Sequence, residues 1–391
     1  MRLPIYLDYN ATTPVDKRVL EAMLPWFSEQ FGNAASRTHL YGWTAEEAVA
    51  KARKQVASLI HCQSKEIVFT SGATESNNLA IKGLFEKYYP QKKHIVTVQT
   101  EHTATLDACQ HLEKWGAAVT YLLPQPDGIV SAQQVADALR PDTLLVSVML
   151  ANNEIGVLLP LQQIARLAHQ KGVFVHTDAT QAVGKIAVDV AELDVDLLSF
   201  SAHKMYGPKG VGALYVRAGV GMMPQMDGGG HERGRRSGTL NVPGIVGLGE
   251  ACAVAQRELQ TEYKNLESLR NYLENSILAQ IAETFVNGNQ NVRLPHVTNI
   301  CFEGLDGENL LLGLKDLAVS TGSACTSASV LPSHVLKALQ LSDAQAHASL
   351  RFSLGRFTTL SEIEYAISHL LEVVEKTKNN QVGYVPNDFL Q

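Results

Sequence analysis

The sequence has few cysteines, and they form no recognisable pattern. The five, Cys62, Cys109, Cys252, Cys301 and Cys325, are odd in number, lie far apart and include no C-x-x-C pair. A disulfide framework or a zinc ribbon is therefore not indicated. We expect a protein of the reducing cytoplasm, in which each thiol has to be judged by its own surroundings.

Long apolar runs and an excess of positive charge are also missing. No stretch approaches ~20 uninterrupted apolar residues, so no membrane-spanning helix is predicted. The N-terminal MRLPIYLDYN lacks the apolar run of a secretory signal. The formal net charge is −6, so no global positive field favours nucleic acid or an anionic membrane. We expect neither of them as a direct partner.

Two common site motifs do not occur. There is no G-x-x-x-x-G-K-[ST] phosphate loop, and the histidines do not pair with carboxylates at a metal-ligand spacing, so no metal site is predicted. What is present is a chain of 391 residues, 45% hydrophobic and 18% charged. That composition is typical of a globular protein with a sizeable core. The length suits one large domain and a smaller one.

Short apolar runs alternate with helical patterns from about Leu20 to Val216. This alternation predicts an α/β fold with a large domain, in which a mostly parallel seven-stranded sheet is flanked by helices. The predicted strands are Ile67–Thr70, His94–Thr100, Val119–Leu123, Leu144–Leu150, Val173–Thr177, Leu197–Phe200 and Gly212–Val216. The predicted helices include Thr44–Ile60, Glu75–Tyr89, Thr105–Trp115 and Leu161–Lys171. Ligands of such sheets bind at the carboxyl ends of the strands.

The remainder of the chain is predicted to form a smaller α+β domain. Gly221–Gly244, rich in glycine and arginine, is expected to be an extended loop, and Ile245–Ile281 a long or broken helix. Candidate strands follow at Val297–Phe302 and Ser349–Ser353. We place the large domain at residues 15–258 and the small domain at residues 1–14 and 259–391.

A small-residue turn opens a predicted helix in IVFTSGATESNN. The turn holds Ala73 and Thr74, and the backbone N–H groups of such a turn, with the helix dipole, favour an anion such as a phosphate. The alternative is an ordinary helix cap.

In GVFVHTDATQAVGK, Asp178 ends an apolar strand, where a carboxylate needs a partner. Asp178 and Gln181 are candidates to hold a polar ring, with a cap or turn role as the alternative.

A lysine follows another buried strand in VDLLSFSAHKMYGPKG. The strand delivers Ser201, His203 and Lys204, and a desolvated lysine amine suits Schiff-base chemistry. A solvated lysine at a strand end is the ordinary alternative.

Two single residues are further candidates. His102 follows the strand His94–Thr100, so its ring is a candidate cover for a planar ligand. Arg351 interrupts an apolar stretch, a costly position unless the guanidinium meets a carboxylate.

These candidates suit one ligand in common. A phosphate cradle, an Asp for a ring nitrogen, a Lys for an imine and an aromatic cover are what pyridoxal 5'-phosphate (PLP) requires. The sequence therefore indicates a PLP enzyme.

Ten motifs in order make the sequence resemble a known family. They are LDYNATTPVD, FGNAASRTH, FTSGATESNN, TEH, NNEIGV, DATQAVGK, SAHKMYGPKG, GGGHERGRRSGT, STGSACTSAS and RFSLGRFT. From about Leu7 to Thr358 the chain resembles cysteine desulfurases of the NifS/IscS type, which are fold-type I PLP-dependent transferases. The STGSACTSAS segment is similar to that of the long-loop group.

The resemblance implies roles for the residues that hold the cofactor. Lys204 would bind PLP as an imine, His102 would stack on the ring, and Asp178 would pair with the ring nitrogen. The remaining implied contacts are Gln181 to the phenolic oxygen and Ala73, Thr74, Ser201 and His203 to the phosphate. Thr239 would reach the phosphate of a neighbouring subunit, which implies a homodimer.

The resemblance also implies a reaction. Asn153 and Arg351 would bind the carboxylate of L-cysteine, and Cys325 would be the nucleophile that becomes a persulfide while L-alanine is released. His102 is a plausible proton carrier. An iron–sulfur scaffold or another sulfur-acceptor protein is the implied partner, for cluster assembly or tRNA thiolation. A selenocysteine lyase on the same fold, or a non-catalytic sulfur carrier, is the alternative.

Overall fold

A computed structural model describes residues 3–321 and 331–382 of the chain. Its largest element is a seven-stranded sheet with the order β2-β8-β7-β6-β5-β3-β4. Neighbouring strands are parallel except for β8, which is antiparallel to both β2 and β7. Within the described residues the strands are β1 (Ile5–Tyr6), β2 (Ile67–Thr70), β3 (His94–Val98), β4 (Ala118–Leu122), β5 (Thr143–Ser147), β6 (Phe174–Asp178), β7 (Leu197–Ser201), β8 (Gly212–Val216), β9 (Thr284–Val286), β10 (Val297–Phe302), β11 (Leu317–Ala318) and β12 (Ser349–Ser353).

Helices cover both faces of the large sheet. The described helices are α1 (Lys17–Met23), α2 (Pro25–Ser28), α3 (Leu40–Leu59), α4 (Ala73–Tyr88), α5 (Thr103–Glu113), α6 (Ala132–Ala138), α7 (Leu161–His169), α8 (Val190–Leu193), α9 (Val242–Gln280), α10 (Gly307–Gly313), α11 (His334–Ala338), α12 (Asp343–His347) and α13 (Leu360–Val382). One hydrophobic core packs α3 and α9 on the sheet, and another packs α4 and α5 against it. Strands β2, β3, β5, β7 and β8 of this sheet are buried along their whole length, which is why they appear in the sequence as continuous apolar runs.

A smaller antiparallel sheet has the order β12-β10-β9, and it has its own hydrophobic core with the end of α9 and α13. The short strands β1 and β11 form a separate parallel pair. Asp8 bridges to Ser353, which brings the N-terminal segment against the small sheet. In the part of the chain that the structure describes, none of the helices combines the length and the hydrophobicity that a membrane-spanning segment requires.

The structure confirms the predicted α/β architecture and the seven-stranded sheet. The strands predicted in the second half, Val297–Phe302 and Ser349–Ser353, match β10 and β12. The helix expected to be long or broken is one continuous element of 39 residues, α9. Gly221–Gly244 is largely a loop as expected, but it contains a 3₁₀ turn at Glu232–Gly234.

Candidate active site

A cavity of about 460 Å³ opens at the carboxyl ends of β6 and β7. It brings together residues that are far apart in the sequence. Ten residues with predicted roles line it: Ala73, Thr74, His102, Asn153, Asp178, Gln181, Ser201, His203, Lys204 and Arg351. Parallel strands place their carboxyl ends at one sheet edge, so the loops that follow them share one site.

The amine of Lys204 is held at the cavity by the N-terminal segment. Lys204 lies in the 3₁₀ turn Ala202–Lys204 directly after β7. Its Nζ donates hydrogen bonds of 2.7 Å each to the carbonyl oxygens of Asn10 and Ala11. The Asn10 carbonyl also accepts from Gln181 Nε2 at 3.0 Å. The amine is therefore oriented by two backbone acceptors.

Asp178 ends β6 and is only 7% exposed. Asn77 Nδ2 donates to Asp178 Oδ2 at 2.7 Å, and the Thr180 N–H donates to Oδ1 at 2.9 Å. Asn77 lies in α4 and is fully buried. One donor on each oxygen fixes the orientation of the carboxyl group toward the cavity.

The ring of His102 is fixed at the start of α5. His102 caps this helix, and its Nδ1 accepts a hydrogen bond of 3.1 Å from the Ala104 N–H. Burial lowers the pKa of His102, Asp178 opposes this shift, and the charges of Lys204 and His334 add to it. At neutral pH the ring is thus uncharged and can accept a proton.

A candidate anion site lies at the N-terminus of α4. The helix begins at Ala73, no side chain within the described residues caps it, and its first turn lines the cavity with Thr74 beside Ser201. Free N–H groups and the helix dipole favour a phosphate there. Burial, together with Lys204 and Lys209, lowers the pKa of His203 to about 4. His203 is therefore a neutral hydrogen-bonding group at this site.

Arg351 enters the cavity from β12 of the small sheet and is 1% exposed. Its Nη2 pairs with Asp8 Oδ1 at 2.6 Å, and its Nη1 donates to the Asn153 carbonyl at 3.0 Å. The Nε atom is buried and has no hydrogen-bond partner in the described part of the chain. A planar guanidinium with an unused donor is suited to a carboxylate.

Three residues that hold the site had no role assigned from the sequence. Asn10 positions Lys204 and Gln181, Asn77 positions Asp178, and Asp8 pairs with Arg351. Asn10 and Asp8 occur in LDYNATTPVD and Asn77 in FTSGATESNN. The motifs therefore marked these two segments as parts of the site, but they did not show what the three side chains contact. The contacts depend on the tertiary fold, because Arg351 is 343 residues from Asp8.

Two predicted residues are not placed in the cavity. Thr239 is exposed and does not line it. Its predicted contact with a neighbouring subunit stays a prediction. Cys325 lies outside the described residues.

The cavity residues fit PLP. Gln181 Oε1 and Asn153 Oδ1 are buried and have no hydrogen-bond partner in the described residues, so polar groups are left in the cavity for a ligand. The uncapped start of α4 fits the phosphate, and the Asp178 carboxylate fits a protonated ring nitrogen. An amine for the aldehyde is present in Lys204.

Residues 5–366 match the sequence profile of the class-V aminotransferases. The chain belongs to this family, whose members depend on PLP in general. Curated relatives narrow the assignment to its cysteine desulfurases. Cysteine desulfurase IscS of Methylobacillus flagellatus is 54% identical over 381 residues, which cover 97% of this chain and 94% of that protein. The enzyme of the same name from Escherichia coli is also 54% identical, over 96% of this chain and 93% of its own.

Solved structures show the same fold. A NifS-like protein superposes with a TM-score of 0.90 and 36% identity, over 96% of this chain and all of that one. SspA in complex with cysteine superposes with a TM-score of 0.81 and 40% identity, over 91% of this chain and all of that one.

Proposed function

We propose that the protein is a PLP-dependent cysteine desulfurase, which takes sulfur from L-cysteine, releases L-alanine and carries the sulfur as a persulfide on Cys325. One observation carries the proposal: a single cavity holds both the Lys204 amine and the buried Arg351 guanidinium. An amine beside a carboxylate receptor suits an α-amino acid substrate. The names of the relatives and the cysteine bound to SspA agree with this substrate.

The cavity residues would hold the cofactor at five points. When bound, PLP supplies an aldehyde for imine formation and a ring that accepts electrons. Lys204 would bind the aldehyde carbon, Asp178 the ring nitrogen and Gln181 the phenolic oxygen. His102 would cover the ring face. The start of α4, with Ala73, Thr74, Ser201 and His203, would hold the phosphate.

Substrate binding would use the small sheet and the N-terminal segment. Arg351 would bind the cysteine carboxylate with its guanidinium, and Asn153 would donate a hydrogen bond to it. Because Asp8 already occupies Arg351 Nη2, the substrate carboxylate has to share that guanidinium with it. His102, which is neutral at physiological pH, is suited to take a proton from the substrate and to return it.

Sulfur transfer would join two sulfur atoms and leave Cβ of the substrate as the methyl group of L-alanine. The Cys325 thiolate attacks the sulfur of the substrate, an S–S bond forms, and the Cβ–S bond of the substrate breaks. The proton that leaves the Cys325 thiol balances the proton that Cβ gains. The products are L-alanine and a Cys325 persulfide, so no external oxidant or reductant is needed.

The persulfide would pass to an iron–sulfur scaffold protein or to a tRNA-thiolation acceptor. We further propose a homodimer, in which Thr239 of one subunit reaches the phosphate site of its neighbour, and a cytoplasmic location. Residues 15–258 would form the cofactor domain, and residues 1–14 and 259–391 the small domain. The exposed position of Thr239 supports its role at an interface.

Replacement of the two reactive residues tests the proposal. Lys204→Ala should bind no cofactor as an imine, so the visible absorption band and alanine formation should both be lost. Cys325→Ala should retain the band but form no persulfide, because the acceptor thiol is missing. Visible spectra, alanine analysis and mass spectrometry of the protein after addition of L-cysteine give the three readouts.

Cys62→Ala is the matched control. Cys62 is half-buried, and burial raises the pKa of its thiol to about 12, so it supplies no thiolate at neutral pH. This variant should form persulfide and alanine like the parent protein. Persulfide formation by Cys325→Ala, or steady alanine formation by Lys204→Ala, would refute the assignment.

A further inference from the structure

A second carboxyl group, that of Glu101, is buried below the cavity. Glu101 lies in the turn between β3 and α5 and is 1% exposed. Its Oε1 accepts a hydrogen bond from the Met149 N–H, and its side chain also bonds to the Thr105 hydroxyl. Its carbonyl oxygen accepts from His334 Nε2 at 3.0 Å. Glu101 makes no ion pair within residues 3–321 and 331–382. The side chain is therefore anchored by neutral partners.

A chain of buried side chains connects Glu101 to Asp178. Thr105 bonds to Glu101 at one end, and its Oγ1 lies 3.4 Å from Asn77 Nδ2. The same Nδ2 donates to Asp178 Oδ2 at 2.7 Å. Thr105 and Asn77 are both fully buried. The chain thus runs from one carboxyl group to the other without contact with solvent.

The orientation of the Asn77 amide depends on this series of hydrogen bonds. Its Oδ1 is buried and has no partner in the described residues, so the two contacts of Nδ2 are what hold the group. If the amide turned over, Oδ1 would face the Asp178 carboxylate and repel it. Thr105 therefore fixes the donor that orients Asp178, and Glu101 fixes Thr105.

The surroundings of Glu101 disfavour a second negative charge. Burial and the charge of Asp178 raise the pKa of Glu101 well above its usual value, although the Met149 N–H and Thr105 oppose the shift. The titratable groups that face it are Asp178 from β6 and Cys109 from α5, with His102 and His334 beside its backbone. Burial raises the pKa of the Cys109 thiol to about 12, so that group stays neutral and adds no negative charge.

We propose that Glu101 is an uncharged positioning residue, which holds Thr105 and through it Asn77, so that Asp178 alone carries the negative charge beneath the cofactor ring. The role of Asp178 in this inference rests on the proposed function. The uncharged state of Glu101 does not, and it can be tested in the protein without cofactor.

The first test measures stability against pH for Glu101→Gln, which has the same shape and is always neutral. A raised pKa in the folded state means that the wild-type protein loses stability as pH rises above the unfolded pKa of glutamate, about 4.3. Glu101→Gln should escape that loss. The Tm of the cofactor-free variant minus that of the parent should therefore increase steadily from pH 5 to pH 8. A difference that is constant, or that falls with pH, would overturn the uncharged state.

The second test interrupts the series of hydrogen bonds between Glu101 and Asp178 with Thr105→Val, a substitution that keeps the shape of the side chain and removes its hydroxyl. A less firmly oriented Asn77 donates a weaker hydrogen bond to the Asp178 carboxylate, which leaves more negative charge beside the ring nitrogen; the ring becomes less electron-withdrawing, and the pKa of the visible cofactor band should rise. One hydrogen bond corresponds to a shift of about half a pH unit. Thr97→Val is the control, because the buried Thr97 hydroxyl has no partner in the described residues. Equal pH titrations of the two variants would refute the positioning role.

If the cofactor band of Thr105→Val titrates at the expected higher pH but neither Thr105→Val nor Thr97→Val removes sulfur from cysteine, the proposed function fails and the positioning role stands. If desulfuration is intact and the two titrations coincide, the positioning role fails alone.

Discussion

Asp8 is the residue that balances the charge of Arg351. The guanidinium is 1% exposed, and its ion pair with Asp8 at 2.6 Å neutralises it. Asp8→Asn should lower the free energy of unfolding by about 3 kcal/mol, because a buried cation would lose its anion. L-alanine, whose carboxylate can replace that anion, should stabilise the variant more than the parent. Urea denaturation with and without L-alanine measures both effects.

Asp142→Asn provides the control for this prediction. Asp142 pairs with Arg140 at 2.8 Å, but the arginine side chain is 46% exposed. Exposed pairs of this kind contribute about 0–1 kcal/mol. An equal loss of stability in Asp8→Asn and Asp142→Asn would contradict the importance of burial at Arg351.

At the scale of single residues, the sequence identifies the charged residues of the site better than the residues that position them. Asp178, Lys204 and Arg351 could be recognised because each is a charged side chain next to or within an apolar strand, where a partner is required. Asn10 and Asn77 could not be recognised in this way, because an asparagine near a helix start or turn is ordinary. Their roles arise from contacts with residues that are 101 to 194 positions away.

Among the elements, the turn before α4 depends on its close packing with β8. A Cβ atom at Gly212 would lie 2.6 Å from the Phe200 carbonyl oxygen and 2.7 Å from Gly72 Cα, and neither backbone atom can move freely. Gly212→Ala should therefore displace the start of α4 and weaken PLP binding about tenfold, equivalent to 1.4 kcal/mol. Titration of the cofactor-free protein with PLP, followed by absorbance, measures the change.

Gly221→Ala is the matched control for this element. A Cβ atom there would meet only Lys87 Cε, at 3.7 Å, which is an ordinary contact with a flexible side chain. PLP affinity should stay as in the parent. Similar affinities for both alanine variants would show that the packing of β8 on this turn is not needed for the cofactor site.

Element types are easier to predict than element limits. The apolar run Leu197–Phe200 predicts β7 to within one residue. Helix α3, in contrast, starts at Leu40 rather than Thr44, because His39 caps it and accepts from the Gly42 N–H. The antiparallel direction of β8 was not predictable from its apolar pattern, which is the same for a parallel strand.

At the scale of the whole molecule, a charged cluster joins segments that are distant in the sequence. Arg356, which follows β12, pairs with Asp16 at 2.7 Å and with Glu262 of α9 at 2.9 Å. Asp16 also binds Arg18 at 2.7 Å and caps α1. The cluster thus connects the N-terminal segment, the long helix and the small sheet.

This cluster should make stability depend on acid pH. The hydrogen bonds from Arg18, followed by that from Arg356, hold the pKa of Asp16 well below its usual range. Since the folded pKa is lower than the unfolded value of about 3.9, the stabilisation is complete above that pH and is lost as pH falls below it. Asp16→Asn keeps the helix cap but should lower the free energy of unfolding by about 2 kcal/mol at pH 7. The difference from the parent should shrink progressively below pH 4 in urea denaturation curves.

Glu21→Gln is the control: it removes the exposed pair with Lys17, whose atoms are 3.8 Å apart, and should follow the parent at every pH. An Asp16→Asn deficit that is the same at pH 3.5 and pH 7 would mean that its charge does not hold the three segments together.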